Sequence, residues 1–352
     1  MGCKFILMLG ILFIKAHVAA LIKHPRLIDS DKKLETSLIH SDTRLGISGT
    51  LFTINNKPAF LYGISYYSAL GASYSSIKKD LADIKKYRFN WIRVWVNWVG
   101  TDTDISAVDD DGNAIPIYMN KLKWLVGQCN RRGIIVDVTL AHGNNKDSRS
   151  LKTTKAHTQA IKSVISALGG YYNWYIDLAN EHDVDDSRFV SFDDLHILRT
   201  LCKELDPGLL VTASAGNDIS YNDLKLYLQW VKVDFIAPHR PRKPASAAQT
   251  GAKTREYLEW MKMLGKVIPV HYQEPFRRGY TDWQPQVNDY ITDLFGAVSA
   301  GAAGWCFHNG DQRSDSEHQP ARSFNMRERR LFEQLDSVES SAIKTIAGRL
   351  KD

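Results

Sequence analysis

The chain has 352 residues, 44% hydrophobic and 24% charged, with 45 Lys+Arg against 39 Asp+Glu for a formal charge of +6. This is an ordinary soluble globular composition with ample material for a core. The basic residues are spread out, and the densest cluster, HRPRK from His239 to Lys243, is too short for a nucleic-acid arm, so no nucleic-acid partner is expected.

Residues 1–20, MGCKFILMLGILFIKAHVAA, carry Lys4, an apolar stretch from Phe5 to Ile14 and small residues ending at Ala19 and Ala20. The pattern predicts a secretory signal peptide, too short to span a bilayer, and hence a secreted or extracytoplasmic mature protein. Position 6 is Ile, where N-myristoylation after Gly2 wants Ser or Thr. No later stretch approaches about 18 uninterrupted apolar residues, so no integral membrane segment is expected in the mature chain. Removing the signal leaves Cys129, Cys202 and Cys306, far apart in sequence. They form neither a disulfide framework nor a metal-ligand spacing; one bridge among them stays open, and core thiols are the expected reading.

Residues 21–45 are polar without clear period and read as a linker or loose arm, leaving 46–352 as one catalytic domain. The stretch GTLFTINNKPAFLYG predicts a β-hairpin, with Asn55-Asn56-Lys57-Pro58 at its turn. Short β-branched or aromatic runs then alternate with longer stretches of helical period. The runs are AFLYGI (59–64), WIRVW (91–95), GIIVDV (133–138), WYIDLA (174–179), LLVTA (209–213), VDFIA (233–237), VIPVH (267–271) and AGWCF (303–307). Between them lie amphipathic segments such as IKKDLADIKKY and KTREYLEWMKMLGK. Strand starts 24 to 42 residues apart are the length of a strand–helix unit, and the alternation implies a parallel sheet. Eight such units predict an α/β fold, a closed (β/α)8 TIM barrel with a short N-terminal β-hairpin. GISYYSALG after the first strand is no dinucleotide fingerprint and no P-loop is present, so no cofactor is expected.

In such a barrel the C-terminal strand ends form the rim where active sites sit. Strand four runs directly into Asn180 and Glu181, and strand seven into Tyr272, Gln273 and Glu274. Carboxylates on roughly opposite sides of a ring of eight can face each other across a pocket. One protonates a leaving oxygen while the other attacks the anomeric carbon or activates water. Strand two carries Arg93 and reaches Trp98, strand three reaches His142, and strand six reaches His239. Tyr66, Trp98, Tyr272 and Trp305 would offer flat faces to sugar rings, while Asn180, His142 and His239 would bind hydroxyls.

These features together resemble a clan A glycoside hydrolase, close to the cellulase-like family 5. FLYGISYY is similar to that family's first strand, YRFNWIRVW to its second, whose Arg supports the nucleophile, and Asn180-Glu181 to the Asn-Glu pair after strand four. The resemblance covers about residues 46–312. It implies that Glu181 is the acid/base, that Asn180 binds the sugar 2-hydroxyl, that Glu274 is the nucleophile and that Trp305 lines the glycone site. It further implies a covalent glycosyl-enzyme, retention at a β-linked glycoside and an oligo- or polysaccharide substrate. His239-Arg240-Pro241 departs from the family's frequent His-x-Tyr, and Tyr-Gln-Glu-Pro-Phe from its frequent Gly beside the Glu, so the subfamily is not fixed. The nucleophile is expected to be ionised beside Arg93 and Tyr66, and the acid to have its pKa raised by burial and by Glu274.

Other readings compete. Glu181 could cap a helix, Glu274 could pair with Arg277 or Arg278, Arg93 could sit in a structural ion pair, and Tyr66 and Trp305 could be core aromatics. His142 and His239 could be structural. A barrel that binds carbohydrate without cleaving it would use the same rim. A metal-dependent hydrolase could draw on His142, His182, Asp183 and His239, although no HExxH spacing occurs. TASAG lacks the first Gly of a serine-nucleophile elbow.

Overall fold

The computed structural model describes residues 42–100, 103–140, 151–185, 189–309 and 325–350. The expected signal peptide, most of the expected arm and His142 lie outside the described residues. No helix among the described residues is long and apolar enough to cross a membrane.

Eight parallel strands form the ring. Leu61–Ser65, Trp91–Trp95, Ile135–Thr139, Trp174–Asp177, Leu210–Thr212, His271–Tyr272 and Gly304–Phe307 belong to one sheet, in spatial order five-four-three-two-one-eight-seven. Strand six, Ala237–Pro238, closes the gap. It pairs with Ser214–Ala215 beyond strand five and bridges to strand seven through Ile236 opposite Val270 and His239 opposite Glu274. Strands six and seven are shorter and later than their apolar runs predict. Pro238 and Pro269 fall in those segments, and a proline cannot donate to the ladder.

Helices follow the strands in turn. They are Tyr74–Lys86, Pro116–Asn130, Thr154–Leu168, Phe192–Leu205, Tyr221–Lys225, Ser246–Met263, Val287–Ser299 and Ser337–Arg349. Several start at a hydroxyl that accepts from the first turn: Ser73 from the Ser76 amide, Thr153 from Ala156 and Ser191 from Asp194. Cys129, Cys202 and Cys306 are buried and unbridged, as core thiols would be.

The predicted hairpin is the end of a three-stranded antiparallel sheet, Leu45–Ser48, Leu51–Ile54 and Lys57–Ala59. Asn55 and Asn56 both take positive φ (53° and 63°), the conformation a tight two-residue turn demands. The last residues of the expected arm are therefore ordered structure, with Thr43 bonded to Asn130 and Leu45 to the Tyr172 carbonyl. This sheet plugs the N-terminal end of the barrel. Phe52 is fully buried edge-on to Phe235 (5.0 Å) and His271 (5.6 Å), within a cluster that includes Leu61, Trp91, Ile135 and Tyr175. With that end closed by apolar packing, the polar interior can open only at the C-terminal rim.

The packing between strands one and two has no spare room at Gly63. A Cβ there would collide with both the ring and the backbone of Trp91, whereas one at Gly348 would meet nothing within 4 Å. Gly63→Ala is expected to cost about 1–3 kcal/mol or more in urea unfolding, and Gly348→Ala to stay within about 1 kcal/mol of the parent. Equal stability of the two variants would contradict the pairing of strands one and two in this register.

Candidate active site

The site is built around Arg93, a strand-two side chain that points into the barrel and is fully buried. A charge in that position needs anions and acceptors. Arg93 donates to Glu274 Oε1 at 2.6 Å, Asp177 Oδ2 at 2.8 Å, Asn180 Oδ1 at 2.9 Å and Thr139 Oγ1 at 2.9 Å, and stands 3.3 Å from Asp137 Oδ2. Asp137 in turn accepts from Thr139, Tyr175 and Gln273. Burial pushes the Asp137 carboxyl up to about 8, against the pull of Arg93.

Glu181 and Glu274 meet above this layer. One carboxylate oxygen of each, with a ring nitrogen of His239, all lie within 4.8 Å of one another. Glu181 sits in the left-handed region (φ 51°), uncommon for a side chain with a Cβ, and its amide donates to Ser214 Oγ at 3.1 Å. His239 Nδ1 is 3.1 Å from Glu181 Oε1 and 3.6 Å from Glu274 Oε2, and its Nε2 is 3.4 Å from Arg93 Nη1. His308, at the end of strand eight, is bonded to Ser65 Oγ (2.9 Å) and stands 3.2 Å from Glu274 Oε2. Burial pushes His308 down, to about 3, against the pull of Glu274.

Arg242, which the sequence presents only as part of a basic cluster, occupies the gap between the two glutamates. Its Nη2 donates to Glu181 Oε1 at 3.0 Å and to Glu274 Oε2 at 2.8 Å. Burial would raise both carboxyls. For Glu181 it is outweighed by Arg242 and then the His239 hydrogen bond, and the carboxyl lies well below the usual carboxylate range. For Glu274 it is outweighed by His308, His239 and Arg93, in the same direction. The expectation that Glu181 is raised is thus reversed in this arrangement, because a guanidinium stands where the sequence offered only a second carboxylate.

Three aromatic expectations are corrected by strand register. Tyr66 gives its hydroxyl to Asp80 of the first helix at 2.7 Å. Tyr272 bonds Thr254 of the sixth helix at 2.6 Å, and Trp305 donates to Asp293 of the seventh at 2.5 Å. Side chains alternate between faces along a strand. Ser65 and Cys306 contact each other inside the ring, so Tyr66 and Trp305 must face the helix layer. The ring that does reach the glutamates is Tyr67. It stacks on Trp95 (4.0 Å), leans on Trp98 (4.9 Å) and His308 (5.9 Å), and its hydroxyl is raised by burial and next by Glu274. Stepping by two from Ser65 would have found Tyr67, and from Cys306, His308. Of the described members of the expected metal-ligand set, which leaves out His142, only His239 belongs here. His182 bonds Tyr227 (2.6 Å) and the Val190 carbonyl (2.8 Å), and lines a separate cavity of about 420 Å³ with Phe192, Ile219 and Tyr227.

No family model and no curated protein matches the sequence. Solved structures do. An endo-1,4-β-mannanase from Rhizomucor miehei superposes with a TM-score of 0.60 at 14% identity, covering 88% of this chain and 99% of that one. The mannanase catalytic domain from Streptomyces sp. SirexAA-E gives 0.57 at 14%, covering 91% and 94%. A Bacteroides vulgatus protein provisionally named a glycoside hydrolase gives 0.66 at 14%, and this chain spans 61% of its length. At such identity the likeness is one of fold, and in fold this chain is a (β/α)8 barrel like these three.

Proposed function

We propose that the chain is a secreted, retaining β-glycoside hydrolase in which Glu274 is the nucleophile and Glu181 the acid/base. The observation that carries this reading is the glutamate pair, with oxygens within 4.8 Å at the C-terminal rim. Retaining enzymes hold their carboxyls about 5–5.5 Å apart, and inverting ones leave about 6.5–9.5 Å for a water. Glu274, kept ionised, attacks the anomeric carbon while Glu181 gives its proton to the leaving oxygen. Glu181 then takes a proton from the water that releases the sugar. Asn180, its carbonyl bound by Arg93, keeps its amide nitrogen for the 2-hydroxyl. Tyr67, Trp95 and Trp98 supply the apolar wall. Secretion rests on the pattern in residues 1–20, and β-mannan, which the fold relatives' names mention, is one candidate polysaccharide.

A metal-dependent hydrolase could use Glu181, His239 and Glu274, whose donor atoms lie close enough to share an ion. Arg242 already supplies the cation at those same two glutamates, which favours the glycosidase reading.

On dinitrophenyl and nitrophenyl β-glycosides, Glu274→Ala should abolish turnover with every leaving group. Glu181→Ala should lose less with dinitrophenyl, which needs little protonation, and azide should restore it as a glycosyl azide of retained configuration. A glycosyl azide of retained configuration from Glu274→Ala, or of inverted configuration from Glu181→Ala, would reverse the two roles.

The pH profile follows from the charges. For the free enzyme, kcat/KM needs Glu274 ionised and Glu181 protonated, so its alkaline limb reports Glu181. With Arg242 in the gap that limb is pulled to low pH, and activity falls as pH rises toward neutral. Arg242→Gln removes the largest influence lowering Glu181 and leaves the repulsion from Glu274, so the alkaline limb should move up. A limb that stays in place or moves down would contradict the assignment of Glu181.

A further inference from the structure

Arg242 and Arg277 stand on one aromatic ring. Their guanidinium carbons lie 4.6 Å and 4.2 Å from the centroid of Tyr280, in the loop after strand seven. Arg242 has its anions, the two glutamates. Arg277 has none within ion-pair distance among the described residues. Its hydrogen bond to the Tyr67 hydroxyl is a long one, 3.4 Å, and its buried Nε has no acceptor among the described residues. The charge of Arg277 nonetheless reaches the site, since it opposes protonation of His308 and lowers the Tyr67 hydroxyl. A half-buried guanidinium beside a second one, with an unanswered N–H, lacks an acceptor that carries negative charge.

Arg242 poses the complementary problem. While it bridges Glu181 and Glu274, no glycosidic oxygen can enter the space between them. A neutral sugar gives Arg242 nothing to exchange for two carboxylates. A sugar bearing an anion does.

Resting on the glycosidase reading of the same glutamates, we propose that Arg242 and Arg277 select a saccharide with an anionic substituent, carboxylate or sulfate, on the unit bound beside the glutamate pair, and that this substituent draws Arg242 out of the gap. Arg277 supplies the standing charge and Arg242 the moving one. Once Arg242 leaves, Glu181 loses its strongest anchor for the ionised form and can carry the proton that the leaving oxygen needs.

Binding tests this apart from catalysis. The ligands are β-1,4-linked trimers of glucuronate and of mannuronate, their neutral glucose and mannose counterparts, and the 6-O-sulfated neutral trimers, titrated calorimetrically into the full chain at low and high salt. At least one anionic trimer should bind about tenfold or more tighter than its neutral partner, with the advantage shrinking as salt rises. Arg277→Gln should bring the ratio near one, and Arg277→Lys should restore part of it. Comparing the carboxylated with the sulfated trimers tells which anion is read. Equal binding of neutral and anionic trimers, or a preference that survives Arg277→Gln, overturns the proposal. Aryl-glycoside turnover judges the glycosidase reading separately. A chain that prefers anionic trimers but cleaves nothing keeps the anion site and loses the enzyme. One that cleaves neutral glycosides without anionic preference does the reverse.

Discussion

The buried guanidinium of Arg93 is the constraint on which the rest of the site depends. It enters from the middle of a strand that is buried along its whole length, so it cannot reach water and must be answered by the barrel itself. Strands three, four and seven each contribute, with Asp137, Asp177 and Glu274. Removing one partner of such a group leaves an uncompensated buried charge, at a cost of about 3–5 kcal/mol. The arrangement therefore fixes Glu274 at the rim more firmly than packing alone would. It also divides the interior into an apolar floor sealed by Phe52, a charged middle layer, and a rim where chemistry is exposed. Asp137 fits this division. Of the three carboxyls around Arg93 it is the farthest, and burial raises its pKa.

Arg242 adds a second cation on the other side of the same glutamate. Glu274 is thereby gripped from below by Arg93 and bridged to Glu181 through Arg242. If Glu181 is the acid proposed above, it has to be protonated when substrate arrives, whereas Arg242 favours its ionised form. On that proposal, substrate must open the site. The two guanidiniums sharing Tyr280 give that opening a chemical trigger, because only one of them has its charge balanced by the protein.

Much of the fold was legible because a ring of eight strand–helix units writes its period directly into the chain, and because a polar group after an apolar run marks the rim. Glu181, Glu274, Arg93 and Asn180 come together in the structure for that reason, and His239 with them. The aromatic residues were harder. Tyr66, Tyr272 and Trp305 are each one step from an inward position, and a one-residue slip on a strand sends a side chain to the opposite face. Family resemblance suggested Trp305, but the Ser65–Cys306 contact puts that tryptophan against the seventh helix. Arg242 was illegible in a different way. His239 and Arg242 are three residues apart in HRPRK, yet one ends a strand and the other reaches back from a loop. Only the path of the backbone past Pro241 brings both to the glutamates. The left-handed conformation of Glu181 also left no mark, since nothing in NEHD calls for positive φ there.

The central claim, that Glu274 is the nucleophile in this charged layer, is tested most directly by trapping its covalent intermediate. Dinitrophenyl 2-deoxy-2-fluoro-β-glycosides of glucose, mannose and glucuronate slow the release of the sugar from the enzyme. With Glu274 as nucleophile, at least one of them gives a burst of about one equivalent of dinitrophenol and a matching mass gain on the peptide that contains Glu274. Labelling of a different residue, or the absence of a burst with all three sugars, would contradict that role.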